Sequence, residues 1–215
     1  MKRTTSLLRL VLITLCFSLV SVAQDSKTIQ LPPAQTSGGR PLMQALSDRK
    51  STREFGSAAL SPQTLSNLLW AAYGINRSDG HRTAPSAMNW QEVTIYIAMP
   101  EGVYSYDAKA NMLIPVLPGD FRAATGTQAY VKDAAINLVY VADVSKSGAS
   151  ASSDAELYNY ADVGFIAQNV YLYCASEGLV TVVRGSVDKP TLAKTLKLQP
   201  DQKIILAQSV GYPKK

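Results

Sequence analysis

The feature that most constrains this chain is an apolar run from Ala135 to Ala142, interrupted only by Asn137, that does not alternate with polar residues. A strand with one face in water alternates apolar and polar side chains, whereas a strand covered on both faces reads as a continuous apolar stretch. The run therefore predicts a strand at the centre of a sheet. A domain built around such a strand packs other elements against the sheet.

The rest of the chain supplies helices and further strands. The best-marked helix begins at Ser61, a capping residue, with Pro62 at the first helical position, and Gly74 closes it. The interleaving predicts an α+β fold with helices packed on a mixed, mostly antiparallel sheet. The other predicted strands are Val93–Ala98, Val103–Tyr106, Met112–Val116, Leu179–Val183 and Lys203–Val210, and the other predicted helices begin near Pro41 or span Ala155–Glu177 and Asp188–Leu198.

Two helices carry apolar faces. The helix near Pro41 has Leu42, Met43 and Leu46 on one side. The long helix has an apolar-to-small face in which Ala161 and Gly164 would let a second helix approach closely. This face fits contact with a second copy of the chain or packing on the chain's own sheet, and both can hold. Its members are Leu157, Ala161, Gly164, Phe165, Gln168, Leu172 and Ala175.

The first 23 residues have the layout of a cleavable signal peptide. Basic residues precede an apolar run from Leu10 to Val20, and the small-residue ending predicts cleavage after Ala23. The run is shorter than the roughly 18 to 20 residues that span a bilayer, which disfavours an uncleaved anchor. We therefore expect a secreted, periplasmic protein with an extended surface arm over residues 24–40 and one domain over residues 41–215.

Charge and cysteine content narrow the function classes. The predicted leader holds three basic and no acidic side chains, so its removal lowers the net charge from +5 to +2. This balance gives no electrostatic case for a nucleic-acid partner. Cys174 would be the one cysteine of the mature protein, so the fold must rest on its core without an internal disulfide. We expect Cys174 to be a small buried packing residue.

Hydrolytic and metal sites are difficult to assemble from this sequence. His81 is the only histidine, and it lies in a polar loop. A zinc site usually needs several histidine or cysteine ligands, so we expect no metal site. A serine hydrolase that uses Ser51 or Ser86 is an alternative, but a triad would have to recruit His81.

Polar clusters suited to an anionic, planar ligand stand out instead. Residues 49–53 place three cations and two hydroxyls within five positions, and such groups can clamp a phosphate. The alternative is a solvated helix end whose charges complement the helix dipole. In residues 82–91, small side chains could let the backbone approach a ligand while Asn89 and Gln91 bond to ring edges, although the same stretch also fits an ordinary loop. The Arg184–Gly185 turn and the Lys214–Lys215 tail are further candidates.

Six segments together resemble the nitroreductase family, and the likeness is greatest to the branch that includes the SagB-type thiazole/oxazole-peptide dehydrogenases. The likeness covers the chain from about Leu31 onward. The segments, in the family's order, are RKSTREF at 49–55, LLWAAYGIN at 68–76, RTAPSA at 82–87, GVYSYD at 102–107, ADVGFIAQNV at 161–170 and VGYP at 210–213.

The resemblance implies a homodimer with FMN bound at the subunit interface and contacted by both chains. It also assigns residues to the cofactor. The segment that holds the FMN phosphate and ring edge corresponds to Arg49, Lys50, Ser51 and Arg53, and the loop against the flavin, supplied by the partner subunit, corresponds to Pro85, Ser86, Ala87, Met88 and Asn89.

The same resemblance places Arg184 and Gly185 near the flavin N5 atom, where an acidic or small residue is more usual than arginine. It places Lys214 and Lys215 near the C-terminal phosphate contacts, although this chain stops early.

The function that follows is FMN-dependent redox catalysis on a nitroaromatic, a quinone or a similar small conjugated substrate. Because the flavin carries the redox chemistry, no catalytic acid or base of the protein is obligatory. Export leaves the electron donor open, since NADH and NADPH are not expected outside the cytoplasm, and the peptide-dehydrogenase branch suggests substrate oxidation instead. The alternative is a non-catalytic protein that holds a flavin or another ligand on the same scaffold.

Overall fold

A computed structural model describes residues 27–147 and 153–215 and confirms the α+β class. The predicted signal peptide lies outside the described residues. No helix in the described ranges is both long enough and apolar enough to cross a membrane. The helices are α1 (Leu42–Asp48), α2 (Pro62–Tyr73), α3 (Ser153–Glu177) and α4 (Lys189–Thr195), and the strands are β1 (Ile29–Gln30), β2 (Val93–Met99), β3 (Gly102–Asp107), β4 (Met112–Pro118), β5 (Ile136–Asp143), β6 (Val180–Arg184) and β7 (Gln202–Gly211).

The strands form one sheet in the order β1-β4-β3-β2-β5-β7-β6. The sequence predicts a mixed, mostly antiparallel sheet, and every strand pair in the described residues is antiparallel. The reason lies in the position of β7. The helical crossover through α3 does lay β6 parallel to β5, but β7 lies between these two strands and runs antiparallel to both, so the two parallel strands are not hydrogen-bonded neighbours.

Strand β5 confirms the prediction from the apolar run. Leu138 and Tyr140 belong to the core between the sheet and helices α2 and α3. Val139 and Val141 point to the opposite face, where they share a second core with Leu192 of α4. Because both faces of β5 are covered, alternation would have left polar side chains in one of the two cores.

Helix α2 follows its sequence signals. The backbone N–H of Thr64 donates to the Ser61 hydroxyl at 3.0 Å, Pro62 occupies the first helical position, and the Gly74 N–H donates to the Trp70 carbonyl at 2.8 Å. The apolar stripe that includes Leu68 and Leu69 is buried against the sheet. The cap and the stripe together fix the ends and the orientation of α2.

The prediction of an extended surface arm over residues 24–40 is wrong in part. Ile29 pairs with Leu113 in β4, so the arm adds an edge strand to the sheet. Leu31 is only 3% exposed and joins the main core. The Pro32 carbonyl accepts a hydrogen bond from Asn111 at 2.8 Å. A single apolar side chain and satisfied backbone groups are enough to dock a segment that its composition marks as a loop.

The predicted face of α3 points away from the chain's own sheet, whereas the opposite face, which includes Val163, Ile166 and Cys174, is buried. Phe165 is 49% exposed and Leu157 is 66% exposed. The interpretation that this face packs on the sheet is therefore wrong.

Helix α1 packs beside α3 and also leaves its apolar side open. Its side chains Leu42, Met43 and Leu46 are all exposed, with Met43 at 76%, while Ala45 is buried. Leu42 of α1 and Leu172 of α3 line the same cavity. The two open faces thus belong to one region of the surface, which we call the α1/α3 surface.

Candidate functional site

The segment from Arg49 to Gly56 is anchored along β6 and the C-terminal residues. The Thr52 N–H donates to the Thr181 carbonyl at 3.0 Å. Phe55 forms a bridge with Pro213, and the Gly56 N–H donates to the Tyr212 carbonyl at 2.8 Å. These backbone contacts bring the cationic residues that follow α1 next to the C-terminal tail, although they lie about 160 positions apart in the sequence.

Arg49 and Ser51 meet at one side chain of α3. The Arg49 guanidinium lies 5.3 Å from the centre of the Tyr171 ring, and the Ser51 hydroxyl is 2.8 Å from the Tyr171 hydroxyl. The Val183 N–H donates to that same tyrosine oxygen at 2.9 Å, so the tyrosine proton is free to point to Ser51. This chain of bonds holds Ser51 in place. Lys50 lines a neighbouring cavity of about 540 Å³ with Thr181.

Arg53 and Lys214 line a separate cavity of about 460 Å³, which we call the cationic cavity. Arg122 and Lys132 line it as well, but these two pair with Asp120 at 2.7 Å and Asp133 at 2.8 Å. Within the described part of the chain, Arg53 and Lys214 make no ion pair. Glu54 and Asp133 also line the cavity, so among its described lining residues cations outnumber carboxylates by four to two. The structure thus brings two predicted site residues together without a direct ion-pair partner in the described ranges, which suits an anionic ligand.

Arg122 and Lys132 are cavity residues that sequence reasoning missed. Both lie between β4 and β5 in irregular segments that fold back over the sheet. Nothing in their local sequence indicates this placement. Their one usable signal is that they precede the buried strand β5.

The five predicted residues from Pro85 to Asn89 form a loop that continues to Gln91, here called the 85–91 loop. Met88, Asn89 and Gln91 all adopt left-handed backbone angles, which cost energy in residues other than glycine. The loop is held by the Gln91 N–H, which donates to the Ser86 hydroxyl at 3.0 Å, and by Arg82, which donates to the Gln91 side chain at 2.8 Å. Met88 is 85% exposed at the tip.

The loop is also bound to α3 through a buried acidic residue. The Ala87 N–H donates to the Asp162 carboxylate at 2.9 Å. Glu92, directly after the loop, is fully buried beside Asp162, and within the described residues neither of its carboxyl oxygens has a hydrogen-bond donor. Burial, and then the charge of Asp162, raise the pKa of Glu92 to about 7. Burial also raises the pKa of Asp162, against the effect of the Ala87 N–H.

Arg184 requires a correction. The resemblance places its side chain near the flavin, but the guanidinium is buried in the interior. It donates to the Thr125 carbonyl at 2.6 Å and to the Asn137 side chain at 2.9 Å. Burial lowers the pKa of Arg184 to about 10, so it remains a cation at neutral pH. Its donors are used by the protein's own acceptors, and only the backbone of Arg184 and the exposed Gly185 remain as predicted contacts.

The histidine and serine residues do not form a hydrolytic site. His81 lies with its imidazole 2.8 Å from Asp79. Ser51 bonds to Tyr171 and Ser86 to the backbone of Gln91, so among the described contacts neither hydroxyl reaches His81. The structure therefore gives the hydrolase alternative no support.

Comparison with known proteins decides the family. The model of the nitroreductase family matches residues 46–212, which include the segment 49–56, the 85–91 loop and most of the fold. The chain belongs to the nitroreductase family. A nitroreductase-like protein of Methanocaldococcus jannaschii is 30% identical over 185 residues, which cover 81% of this chain and 92% of that protein.

Solved structures agree with this family assignment. A nitroreductase-like protein from Ralstonia eutropha JMP134 is 40% identical, with a TM-score of 0.85 over 90% of this chain and 93% of that one. A nitroreductase-like protein from Desulfovibrio desulfuricans, solved in complex with FMN, shares the fold at 21% identity, with a TM-score of 0.60 over 83% of this chain and 89% of that one. The chain thus shares the nitroreductase fold with these proteins, and its family membership indicates an oxidoreductase function.

Within this nitroreductase, the predicted site residues fall into two groups. One group surrounds the cationic cavity and the adjoining Tyr171 contacts. The other is the 85–91 loop, held on α3. Among the described residues, none from the 85–91 loop lines the cationic cavity.

Proposed function

We propose that this nitroreductase is an FMN-dependent oxidoreductase that works as a homodimer after export from the cytoplasm. Its substrate would be a small conjugated molecule such as a nitroaromatic compound or a quinone. The observation that carries this proposal is the cationic cavity, in which Arg53 and Lys214, without a direct ion-pair partner among the described residues, lie on segments anchored to β6 and to each other.

The residues present fit the phosphate end of FMN. A phosphate ester is a compact dianion, and guanidinium and ammonium groups without carboxylate partners bind it through charge-assisted hydrogen bonds. Arg53 and Lys214 make no direct ion pair among the described residues and meet that description, whereas Arg122 and Lys132 are paired with carboxylates and add little net charge. Arg49 and Ser51 lie on the same segment and are fixed by Tyr171.

The 85–91 loop suits the planar ring of the flavin. Its left-handed residues make a tight turn, and Met88 is the large exposed side chain at its tip, whereas Trp90 is half-buried. Strain of this kind persists where surrounding contacts hold the loop in one conformation. Polar groups of Ser86 and Asn89 lie at its surface and can bond to the edge of a heterocycle.

A homodimer would unite the two groups of residues. In one chain no described residue of the 85–91 loop lines the cationic cavity, and a second copy would bring another loop towards it. The α1/α3 surface supplies apolar area for that contact, with Met43 and Phe165 as its most prominent side chains. Contiguous exposed apolar patches on a soluble protein commonly mark an interface.

When bound, FMN would supply the hydride or electron transfer, so the chain's own residues have supporting roles. Arg53 and Lys214 would hold the phosphate and set the depth of binding. The Ser51–Tyr171 contact would fix the position of the backbone beside the cofactor. The 85–91 loop would cover the ring and exclude water from one side. None of these roles requires a protein acid or base at the reacting atoms.

The predicted signal peptide supports action outside the cytoplasm, where NADH and NADPH are not expected as electron donors. Membership of the SagB-type branch would reverse the direction of electron transfer, so that the substrate is oxidised and oxygen or a quinone accepts the electrons. The proposal includes both directions of transfer.

The deciding experiment is an absorbance spectrum from about 300 to 550 nm of the mature exported protein, a range that covers the oxidised flavin bands, with the released chromophore identified by mass. Near-stoichiometric FMN would support the proposal, and a colourless protein that refuses added FMN would contradict it. If FMN is present, reduction of a nitro compound or a quinone with chemically supplied electrons separates catalysis from binding alone. A flavin-loaded protein without turnover would favour the non-catalytic alternative.

A further inference from the structure

We propose that Glu92 and Asp162 form a carboxylic acid–carboxylate pair that shares one proton and acts as a positioning device for the 85–91 loop. The pair lies beneath the loop rather than at its surface. Its significance for catalysis rests on the proposed function, because the loop is the part expected to cover the flavin. The pair itself can be tested without a flavin.

The arrangement of donors and acceptors requires a shared proton. Asp162 accepts the Ala87 N–H at 2.9 Å, which favours its ionised form. The Glu92 carboxyl lies beside that of Asp162, and its own backbone N–H is the one donor near it among the described residues, too poorly aligned for a full hydrogen bond. Two ionised carboxylates in contact and out of water would repel each other, so Glu92 must carry the proton and donate it to Asp162.

The groups that face the pair reinforce this assignment. Tyr73 of α2 lies close to the pair, and its hydroxyl is buried. The Arg82 guanidinium does not bind the pair, because it stacks 4.4 Å from the centre of the Tyr73 ring and donates to the Tyr73 carbonyl. Lys146, in the turn after β5, is an exposed cation that acts on Glu92 only weakly. No described cation reaches the pair closely enough to neutralise a second negative charge.

The consequence for the loop follows from the bond to Ala87. Ala87 begins the strained turn, and Met88 and Asn89 directly after it have left-handed backbone angles. The acceptor that holds Ala87 is fixed in turn by the proton on Glu92. Loss of that proton would leave two charges repelling each other under the loop, so Asp162 would shift and release Ala87.

The test uses the emission of Trp90, which follows the loop tip and lies 6.0 Å from the Tyr158 ring in an edge-on contact. A Trp70→Phe background makes it the only tryptophan of the full chain. In the flavin-free protein, emission measured from about pH 5 to pH 9 should show a one-proton transition, since a raised carboxyl pKa lies inside this range and ordinary carboxyl pKa values lie below it. Glu92→Gln keeps a donor to Asp162 without a titrating proton, so the transition should vanish while the low-pH emission remains.

Glu156→Gln is the matched control, because it makes the same charge change at an exposed position near the start of α3. It should leave the transition unchanged. Asp162→Ala removes the acceptor for Ala87 and should give the released-loop emission at every pH. In the flavin-loaded protein, Asp162→Ala should weaken FMN binding on the order of tenfold or more, whereas Glu92→Gln should stay within about twofold of the parent.

A transition that persists in Glu92→Gln would overturn the proposal, because the titrating group would then lie elsewhere. A second measurement needs no variant: the infrared spectrum of the unmodified protein at neutral pH should contain the carbonyl stretch of a protonated carboxylic acid, and its absence would also overturn the shared proton. Failure of the parent protein to bind FMN would contradict the proposed function but would leave both of these results intact.

Discussion

At the scale of single residues, Arg53 is the sharpest test of the cationic cavity. Arg53→Ala removes a charged donor whose side chain is otherwise unpaired in the described structure. We expect the free energy of FMN binding to fall by about 1.5 to 3 kcal/mol, the range for a hydrogen bond to a charged group. Titration of the flavin-free protein with FMN measures the change. Arg77→Ala, at an exposed loop position, is the control, and unchanged affinity in Arg53→Ala would remove this residue from the site.

Arg184 gives the opposite expectation. Its guanidinium makes several bonds to buried acceptors, including the Thr125 carbonyl and Asn137, and the single ammonium of lysine cannot reproduce that fork. Arg184→Lys should lower the free energy of unfolding by about 1 to 3 kcal/mol, because it leaves buried acceptors unpaired. Denaturant unfolding measures this loss. FMN affinity of the folded protein should stay the same, and a selective loss of affinity would restore Arg184 to the cofactor site.

The same residues show what sequence can and cannot predict about a site. Arg53 could be proposed because it lies within a motif that can be compared with the family position by position, and Lys214 because it directly follows another such motif. Glu92 could not, because its partner Asp162 is 70 positions away and nothing local indicates that either is buried. The sequence could mark Arg184 as a position near the site but could not show that its side chain points into the interior. The acceptors that bind the guanidinium there come from distant residues, namely Thr125, Asn137 and Ser209.

At the scale of elements, the sequence predicted a helix or strand correctly where the interactions that form it lie within the same segment. The cap of α2 is made by Ser61 and Thr64, three residues apart, so the sequence contains the whole interaction. The double coverage of β5 could be predicted from its own apolar run. The arm was not predictable in full, because Leu31 is docked by partners far along the chain, among them Asn111 and the core residues around it.

The exposed face of α3 supports a prediction about assembly. Phe165→Glu places a charge on the α1/α3 surface, and in a twofold dimer the two copies would bring like charges close together. Such a contact costs several kcal/mol, so we expect dimerisation to weaken on the order of 100-fold or more and FMN to be lost with it. Sedimentation measures the assembly. Ile114→Glu is the control at another exposed apolar position, on β4, and a dimer that survives Phe165→Glu would place the interface elsewhere.

At the scale of the whole molecule, the acid pair makes stability depend on pH in an unusual direction. Burial raises the pKa of Glu92 from its ordinary 4.5 to about 7, so the folded protein holds a proton that the unfolded chain releases. The stability that this proton contributes is complete below about pH 4.5 and is lost as the pH rises to about 7. The exposed carboxyls with lowered pKa values, such as Asp48 and Asp120, act in the opposite direction and only at lower pH.

The expected result is a difference between the parent protein and Glu92→Gln in how the free energy of unfolding depends on pH. The free energy of unfolding of the parent protein should fall by up to about 1.4 kcal/mol per pH unit between about pH 4.5 and pH 7, relative to Glu92→Gln, which has no proton to lose. Denaturant unfolding at several pH values and one protein concentration measures both curves, because dimer stability depends on concentration. Curves that stay parallel would mean that Glu92 is ionised in the folded protein. The loop that Asp162 holds would then need another source of order.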